Sequence, residues 1–185
     1  MRSASLSRVT KETEVFVELN LDGKGKSEID LEDRFLKHML ETFSTFSTFD
    51  LRVRAKGDLK HHLTEDVAIT MGQAFDKALN RNEVVRFGFS VIPMEDALVL
   101  VSVDLAKRAY FNSNLALQTS SEFEPSLIIH FLRSFAFYGM FTLHVYQISG
   151  SDPHHLVEAC FKGLGISLNQ ATRIGGKTLS VKGSL

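Results

Sequence analysis

A repeated pair of histidines restricts this chain more than any other feature. His61-His62-Leu63-Thr64-Glu65 and His154-His155-Leu156-Val157-Glu158 share the form H-H-L-x-E, and each leads into an apolar run. On an α-helix, residues three and four apart share a face, which sets Glu65 beside His61 and His62, and Glu158 beside His154 and His155. Adjacent histidines diverge by about 100° on such a helix, so each pair serves two different ions more easily than it chelates one. Imidazole and carboxylate on one face suit a divalent transition metal. The motif therefore points to a two-metal centre.

The repeat extends well beyond the motif. Leu36-Lys37-His38-Met39-Leu40 overlays Ile128-Ile129-His130-Phe131-Leu132, Phe43 overlays Phe135, and Phe49 overlays Phe141. Gly57 falls opposite Gly150 with a one-residue offset. A duplicated unit can bring equivalent helices together about a pseudo-two-fold axis. The expected organisation is one domain over residues 1–185, built from two repeats of about 1–82 and 83–185; that length suffices for a sizeable core.

Periodicity supplies the elements. After a short polar start, alternation over residues 15–21 predicts a strand, and the turn at 22–26 followed by a strand at 27–31 predicts a hairpin. A helical face begins at Phe35, alternation returns at Leu51, Val53 and Ala55, and the first motif helix runs to about Leu79 before a linker at 80–82. In the second half, strands are predicted at 87–92 and 98–105 with Pro93 as a break between them, and a further one at 111–117. A helix at 127–138, a strand at 142–148 and a motif helix ending near Gly175 complete the order. Strands adjacent in sequence, with helices between them, predict an α+β fold: two mostly antiparallel sheets, each with helices packed on one face.

Composition narrows the function. A formal net charge of −1 gives no reason to expect nucleic acid or an anionic membrane as a partner. The single cysteine, Cys160, excludes an internal disulfide and reads as a buried structural thiol. No apolar run approaches the ~20 residues of a membrane span, and the N-terminus has no apolar signal core, so a soluble cytoplasmic protein is expected.

Six of the seven histidines pair off through the duplication: His38 with His130, His61 with His154, and His62 with His155. Glu65 and Glu158 bring the candidate ligands to eight, enough for two ions with four protein ligands each and positions left for substrate. A lone His38 on an apolar helix face would ordinarily be a core residue; the doubling favours ligation. His144 lies opposite Arg52 and reads as a strand residue or an outer partner of the site. Arg86, Arg108 and Lys182 sit beside turns or strand ends; each alone reads as a solvated charge, although arginine forks well onto phosphate. Local physics does not separate Glu12 from Glu14.

The runs Arg8-x-Thr10-x-Glu12-Thr13, Leu21-Asp22-Gly23-x-Gly25, Phe35-Leu36-x-His38-Met39-Leu40, Phe49-Asp50-Leu51 and His61-His62-x-x-Glu65-Asp66-Val67-Ala68 follow a known pattern. So do Arg86-Phe87-Gly88, Pro93-Met94-x-x-Ala97-Leu98, Val103-Asp104-Leu105, Thr142-Leu143-His144, His154-His155-x-x-Glu158-Ala159-x-Phe161-Lys162 and Lys182-Gly183. Over essentially its whole length the chain resembles the imidazoleglycerol-phosphate dehydratases of histidine biosynthesis. The resemblance implies a fold like domain 2 of ribosomal protein S5, two manganese ions per active site, no organic cofactor, and trimers assembled into a 24-subunit shell with sites at subunit contacts. It implies dehydration of D-erythro-imidazole-glycerol phosphate to imidazole-acetol phosphate. By position, His38, His61, His62, Glu65, His130, His154, His155 and Glu158 fall on the metal ligands, Glu12 on a substrate-contacting glutamate suited to acid–base work, and Arg86, Arg108 and Lys182 on phosphate contacts.

The implied chemistry is coherent. With its imidazolate held between two divalent metals, the substrate ring can expel the neighbouring hydroxyl through a diazafulvene-like intermediate, and a base such as Glu12 takes the proton from the next carbon. The chain departs from the family pattern at Lys37, where Asp is usual, and at Phe46-Ser47, where His-Gly is common. It lacks about three residues before His61. Lys107 and Ala109 flank Arg108 in place of Gly and Pro, and Val181 precedes Lys182 in place of Ser or Thr. Two alternatives stand beside the dehydratase: a dinuclear metal hydrolase of a phosphorylated small molecule, and a metal-binding shell protein with weakened turnover.

Overall fold

A computed structural model describes residues 2–175. Two four-stranded sheets are built to one plan. The first contains β1 (Ser3–Val9), β2 (Thr13–Asn20), β3 (Ser27–Asp30) and β4 (Asp50–Gly57), in the order β1-β2-β4-β3. The second contains β5 (Phe87–Met94), β6 (Ala97–Asp104), β7 (Tyr110–Ser113) and β8 (Thr142–Ser149), in the order β5-β6-β8-β7. Helices α1 (Arg34–Ser47) and α2 (Lys60–Ala78) belong to the first half, α3 (Pro125–Tyr138) and α4 (Pro153–Thr172) to the second. The α+β expectation and the duplication both hold.

Alternation along β2 puts Val15, Val17 and Leu19 inside, and β4 matches it with Leu51, Val53 and Ala55. The helices lie between the sheets, α2 against β1 and β2, α4 against β5 and β6, and the halves meet where α1 packs on α4 and α2 on α3. Phe43, Phe75, Phe135 and Phe141 are fully buried there, with edge-on ring contacts of 5.3–6.1 Å. Offset and edge-on rings are the favoured aromatic geometries, and one core runs through both halves.

Two glycines fix the helix crossings. A Cβ on Gly72 would lie 2.8 Å from the Gly139 amide and 2.9 Å from the Phe135 carbonyl, near the end of α3. A Cβ on Gly165 would lie 2.8 Å from the Ser47 amide and 2.9 Å from the Phe43 carbonyl, near the end of α1. The two occupy equivalent places in α2 and α4, so the halves meet through the same close backbone approach twice.

Four expectations are corrected. The strand at 27–31 makes no hairpin with the one before it: β3 pairs parallel with β4, because α1 serves as the crossover between them. The hairpin partner of β2 is β1, within the start read as merely polar, where Ala4 and Leu6 turn toward the core. Pro93 does not break a strand but pairs with Leu98 inside β5, an edge strand, where a missing N–H is tolerated. The third strand of the second half, predicted over 111–117, is limited to Tyr110–Ser113.

Strand β5 also turns its small residues inward. A Cβ on Gly88 would meet the Ser167 carbonyl at 1.9 Å, and Ser90 Oγ donates to the Gly163 carbonyl at 3.0 Å. Close contact with α4 requires this, and it leaves Phe87, Phe89 and Val91 exposed on the outer face. The first sheet's outer face instead carries ion pairs of Arg52 with Glu28 at 2.5 Å and with Glu18 at 3.8 Å.

Candidate metal centre

The motif helices start differently. Asp152 caps α4, accepting from the His154 and His155 amides at 2.8 and 3.2 Å, with Pro153 in the first turn. α2 has no side-chain cap. In α1, Asp33 accepts from the Leu36 amide at 3.0 Å, which fixes the turn carrying His38.

Six of the eight candidate ligands gather into two clusters, and each cluster crosses the halves. His38 of α1 joins His154 and Glu158 of α4: Glu158 Oε2 lies 3.2 Å from His154 Nε2 and 3.6 Å from His38 Nε2. His130 of α3 joins His61 and Glu65 of α2: Glu65 Oε1 lies 3.3 Å from His130 Nε2, and its Oε2 lies 3.8 Å from His61 Nε2. Within each trio the ligand atoms all lie within 4.8 Å of one another.

This donor set suits a cation. Two imidazole nitrogens and a carboxylate oxygen converge in each trio, as a borderline divalent ion prefers. His130 Nε2 is buried and makes no aligned hydrogen bond, although Glu65 is near. A buried polar atom without a partner is costly, and an ion would satisfy it.

His62 and His155 lie outside both clusters, each held in its own acidic setting. His62 Nδ1 bonds Asp58 Oδ1 at 2.8 Å and lies 3.7 Å from Glu12 Oε2. His155 Nδ1 bonds Asp96 Oδ1 at 2.9 Å, and its Nε2 lies 3.7 Å from Glu95. Each imidazole pKa is raised, first by its aspartate bond and then by surrounding carboxylates that outweigh partial desolvation. The Ser151 amide, with His155 and the Asp152 amide, holds Asp96 well below the usual carboxylate range. Glu12 immediately precedes β2 and Asp96 immediately precedes β6, so these two acids fill equivalent places beside equivalent histidines.

Further residues hold the site from behind, and of these only Glu122 lies outside the motif runs. Lys162 Nζ bonds Glu158 Oε1 at 2.9 Å and lies 5.6 Å from the centre of the Phe46 ring, one of the departures noted above. Burial pushes the Glu158 pKa up, but Lys162, His38 and His154 outweigh it and leave it lowered. Glu122 reaches His154 Nδ1 at 2.6 Å from the loop before α3. Behind Glu65, Asp66 takes a bond from Arg8 at 2.7 Å and another from Thr13. Lys162 and Asp66 stand at helical spacing from Glu158 and His62, whereas Arg8, Thr13 and Glu122 arrive from distant segments.

Arg86 stands at φ 84°, an uncommon backbone for a side-chain-bearing residue. Two contacts to Asp104, at 2.7 and 3.0 Å, orient its guanidinium, which also lies 4.5 Å from the Phe87 ring centre. Arg108 is exposed, its carbonyl accepting from Thr142 Oγ1 at 3.0 Å. Lys182 lies outside the described residues. His144 sits between Tyr110 and Tyr146 on the second sheet. Cys160 is fully buried and its thiol pKa is pushed up to about 12, consistent with an inert structural thiol.

Fold and site together define a class: a duplicated α+β protein whose halves exchange histidines to build two cation-suited clusters. A family model described as imidazoleglycerol-phosphate dehydratase matches residues 32–168. The chain is 43% identical over 183 residues to the imidazoleglycerol-phosphate dehydratase of Desulforudis audaxviator, covering 96% of this chain and 93% of the relative. It is 44% identical over 180 residues to that of Thermoanaerobacter pseudethanolicus, covering 94% and 93%. A structure of the Pyrococcus furiosus enzyme in complex with (S)-C348 superposes with a TM-score of 0.89 at 41% identity, over 97% of this chain and 100% of the other. The Staphylococcus aureus enzyme superposes at 0.86 and 30% identity, over 94% and 99%. The chain belongs to the imidazoleglycerol-phosphate dehydratase family.

Proposed function

We infer that this protein is a metal-dependent carbon–oxygen lyase of histidine biosynthesis that dehydrates D-erythro-imidazole-glycerol phosphate to imidazole-acetol phosphate. The observation that carries the reading is the pair of cross-half clusters, His38/His154/Glu158 and His61/Glu65/His130, in a member of this family. Each trio would hold one divalent cation, proposed to be manganese, and the reaction needs no organic cofactor. The bound cations would draw electron density from the substrate's imidazole ring, easing departure of the adjacent hydroxyl.

The chain's own residues do the rest. Glu12, exposed beside His62, takes the proton from the carbon next to the departing hydroxyl. Arg86, oriented by Asp104, grips the phosphate with Arg108 and Lys182. His62 and His155, outside the trios of their own chain, would complete the ligand set of a cation held by a neighbouring copy. That arrangement requires a homo-oligomer, assigned as a 24-subunit shell of trimers. Exposed Phe87, Phe89, Val91 and Ile148 favour such self-association. The catalytic unit is one domain of two repeats, about 1–82 and 83–185. The proposed location is the cytoplasm; no helix among the described residues is long and apolar enough to cross a membrane.

The test is incubation of the manganese-loaded protein with D-erythro-imidazole-glycerol phosphate. Imidazole-acetol phosphate is the expected product. Release of inorganic phosphate would make the protein a hydrolase, and bound metal without turnover would make it a shell protein.

A further inference from the structure

The duplication makes the two trios alike in ligands but not in what lies behind them. In the α1/α4 trio, both ligands contributed by α4 are held from outside. Glu122 takes His154 Nδ1 at 2.6 Å, leaving Nε2 aimed at the trio, and Lys162 takes Glu158 Oε1 at 2.9 Å, leaving Oε2 aimed the same way. The loop bearing Glu122 is itself pinned. Phe123 is buried and stacks on Phe35 at 4.1 Å, and Phe35 meets the His154 ring edge-on at 5.6 Å.

The α2/α3 trio has no such frame. Among the described residues, the polar partners of His61 and Glu65 belong to their own trio, and His130 Nε2 lacks an aligned partner. Its carboxylate is also more open, with the Glu65 side chain 39% exposed against 13% for Glu158. Net charge does not separate the trios, because Lys162 offsets Glu122. Orientation does: a ligand fixed before the ion arrives loses less freedom on binding it, and a carboxylate behind an imidazole also makes the ring a stronger donor.

Building on the metal reading above, we propose that Glu122 is a positioning residue for His154 and makes the His38/His154/Glu158 trio the tighter of the two cation sites. Manganese therefore fills the α1/α4 trio first and leaves it last. Replacing Glu122 by Gln weakens that site by roughly tenfold, the lower end for loss of such an outer partner, and leaves the other site unchanged.

The experiment is a calorimetric titration of the metal-free, full-length protein with Mn2+, with the bound ion also followed by electron paramagnetic resonance. Wild type is expected to show two affinity classes, Glu122→Gln a weaker first class only, and Glu122→Asp an intermediate one. His154→Ala should abolish the tighter class and His61→Ala the weaker, with circular dichroism checking that each variant is folded. One indistinguishable class in wild type, or equal weakening of both classes in Glu122→Gln, overturns the proposal while the metal reading stands. No Mn2+ binding by folded wild type overturns both. Should Glu122→Gln not fold, the order in which His154→Ala and His61→Ala remove the two classes decides the matter.

Discussion

His38 Nε2 stands 3.6 Å from Glu158 Oε2, although the two residues come from opposite halves of the chain. Its counterpart, His130, stands 3.3 Å from Glu65. Neither motif helix therefore completes a trio without the other half. A ligand change should accordingly empty a site whose other members lie on a distant segment. His38→Ala is expected to weaken one Mn2+ site by more than the roughly 10–100-fold typical of an outer partner, while the His61/Glu65/His130 site keeps its ion. Metal analysis of the dialysed variant checks this; loss of both ions together would show that the trios are not separate sites.

Glu12 touches no trio member and lies 3.7 Å from His62. Glu12→Gln keeps the shape and removes the carboxylate proposed as base. Bound manganese should be unchanged and kcat should fall by at least about 100-fold, the usual worth of a positioned acid or base. Steady-state kinetics beside metal analysis separates the two effects. Undiminished turnover would remove Glu12 from the chemical step.

Gly165 admits the backbone of α1 where a Cβ would lie 2.8 Å from the Ser47 amide. Gly165→Ala should force α1 and α4 apart at a cost of about 1–3 kcal/mol, as overpacking does. The same helices carry His38 and Glu158, so thermal unfolding and manganese affinity should fall together. A lowered melting temperature with unchanged affinity would show that the trio tolerates the shift.

Asp50 accepts from the Lys24 and Lys26 amides at 2.9 and 3.0 Å, ordering the turn before β3. The Lys24 amide, aided by the Lys26 amide and Asn20, lowers the Asp50 pKa against an opposing desolvation. A depressed native pKa stabilises the fold above the unfolded value near 3.8, and that stabilisation is lost as pH falls through the native value. Asp50→Ala should cost about 1–2 kcal/mol at neutral pH, and the gap to wild type should close below roughly pH 4. Urea unfolding at several pH values measures it; a gap independent of pH would assign the effect to the lost contacts alone.

Much of the architecture was legible because period and repetition are local properties. Alternation at Val15–Val17–Leu19 and at Leu51–Val53–Ala55 marked the strands of one face, and the twin H-H-L-x-E helices marked the duplication. The parallel placement of residues 27–30 was not legible, since the turn before them resembles a hairpin turn and only the packing of α1 turns the link into a crossover. Pro93 misled for a related reason: its cost depends on whether a neighbour needs its N–H, and an edge position removes that need.

By itself the sequence determined the two-fold plan and the residue types able to hold a cation, because helical spacing places Glu65 near His61 and Glu158 near His154 whatever surrounds them. Only the tertiary structure decided which histidine joins which carboxylate: His38 crosses to α4, His130 crosses to α2, and His62 and His155 turn away to Asp58 and Asp96. The reason is that side-chain convergence depends on how helices cross. That crossing is set by Gly72 and Gly165 and by the shared aromatic core, contacts between segments far apart in the chain.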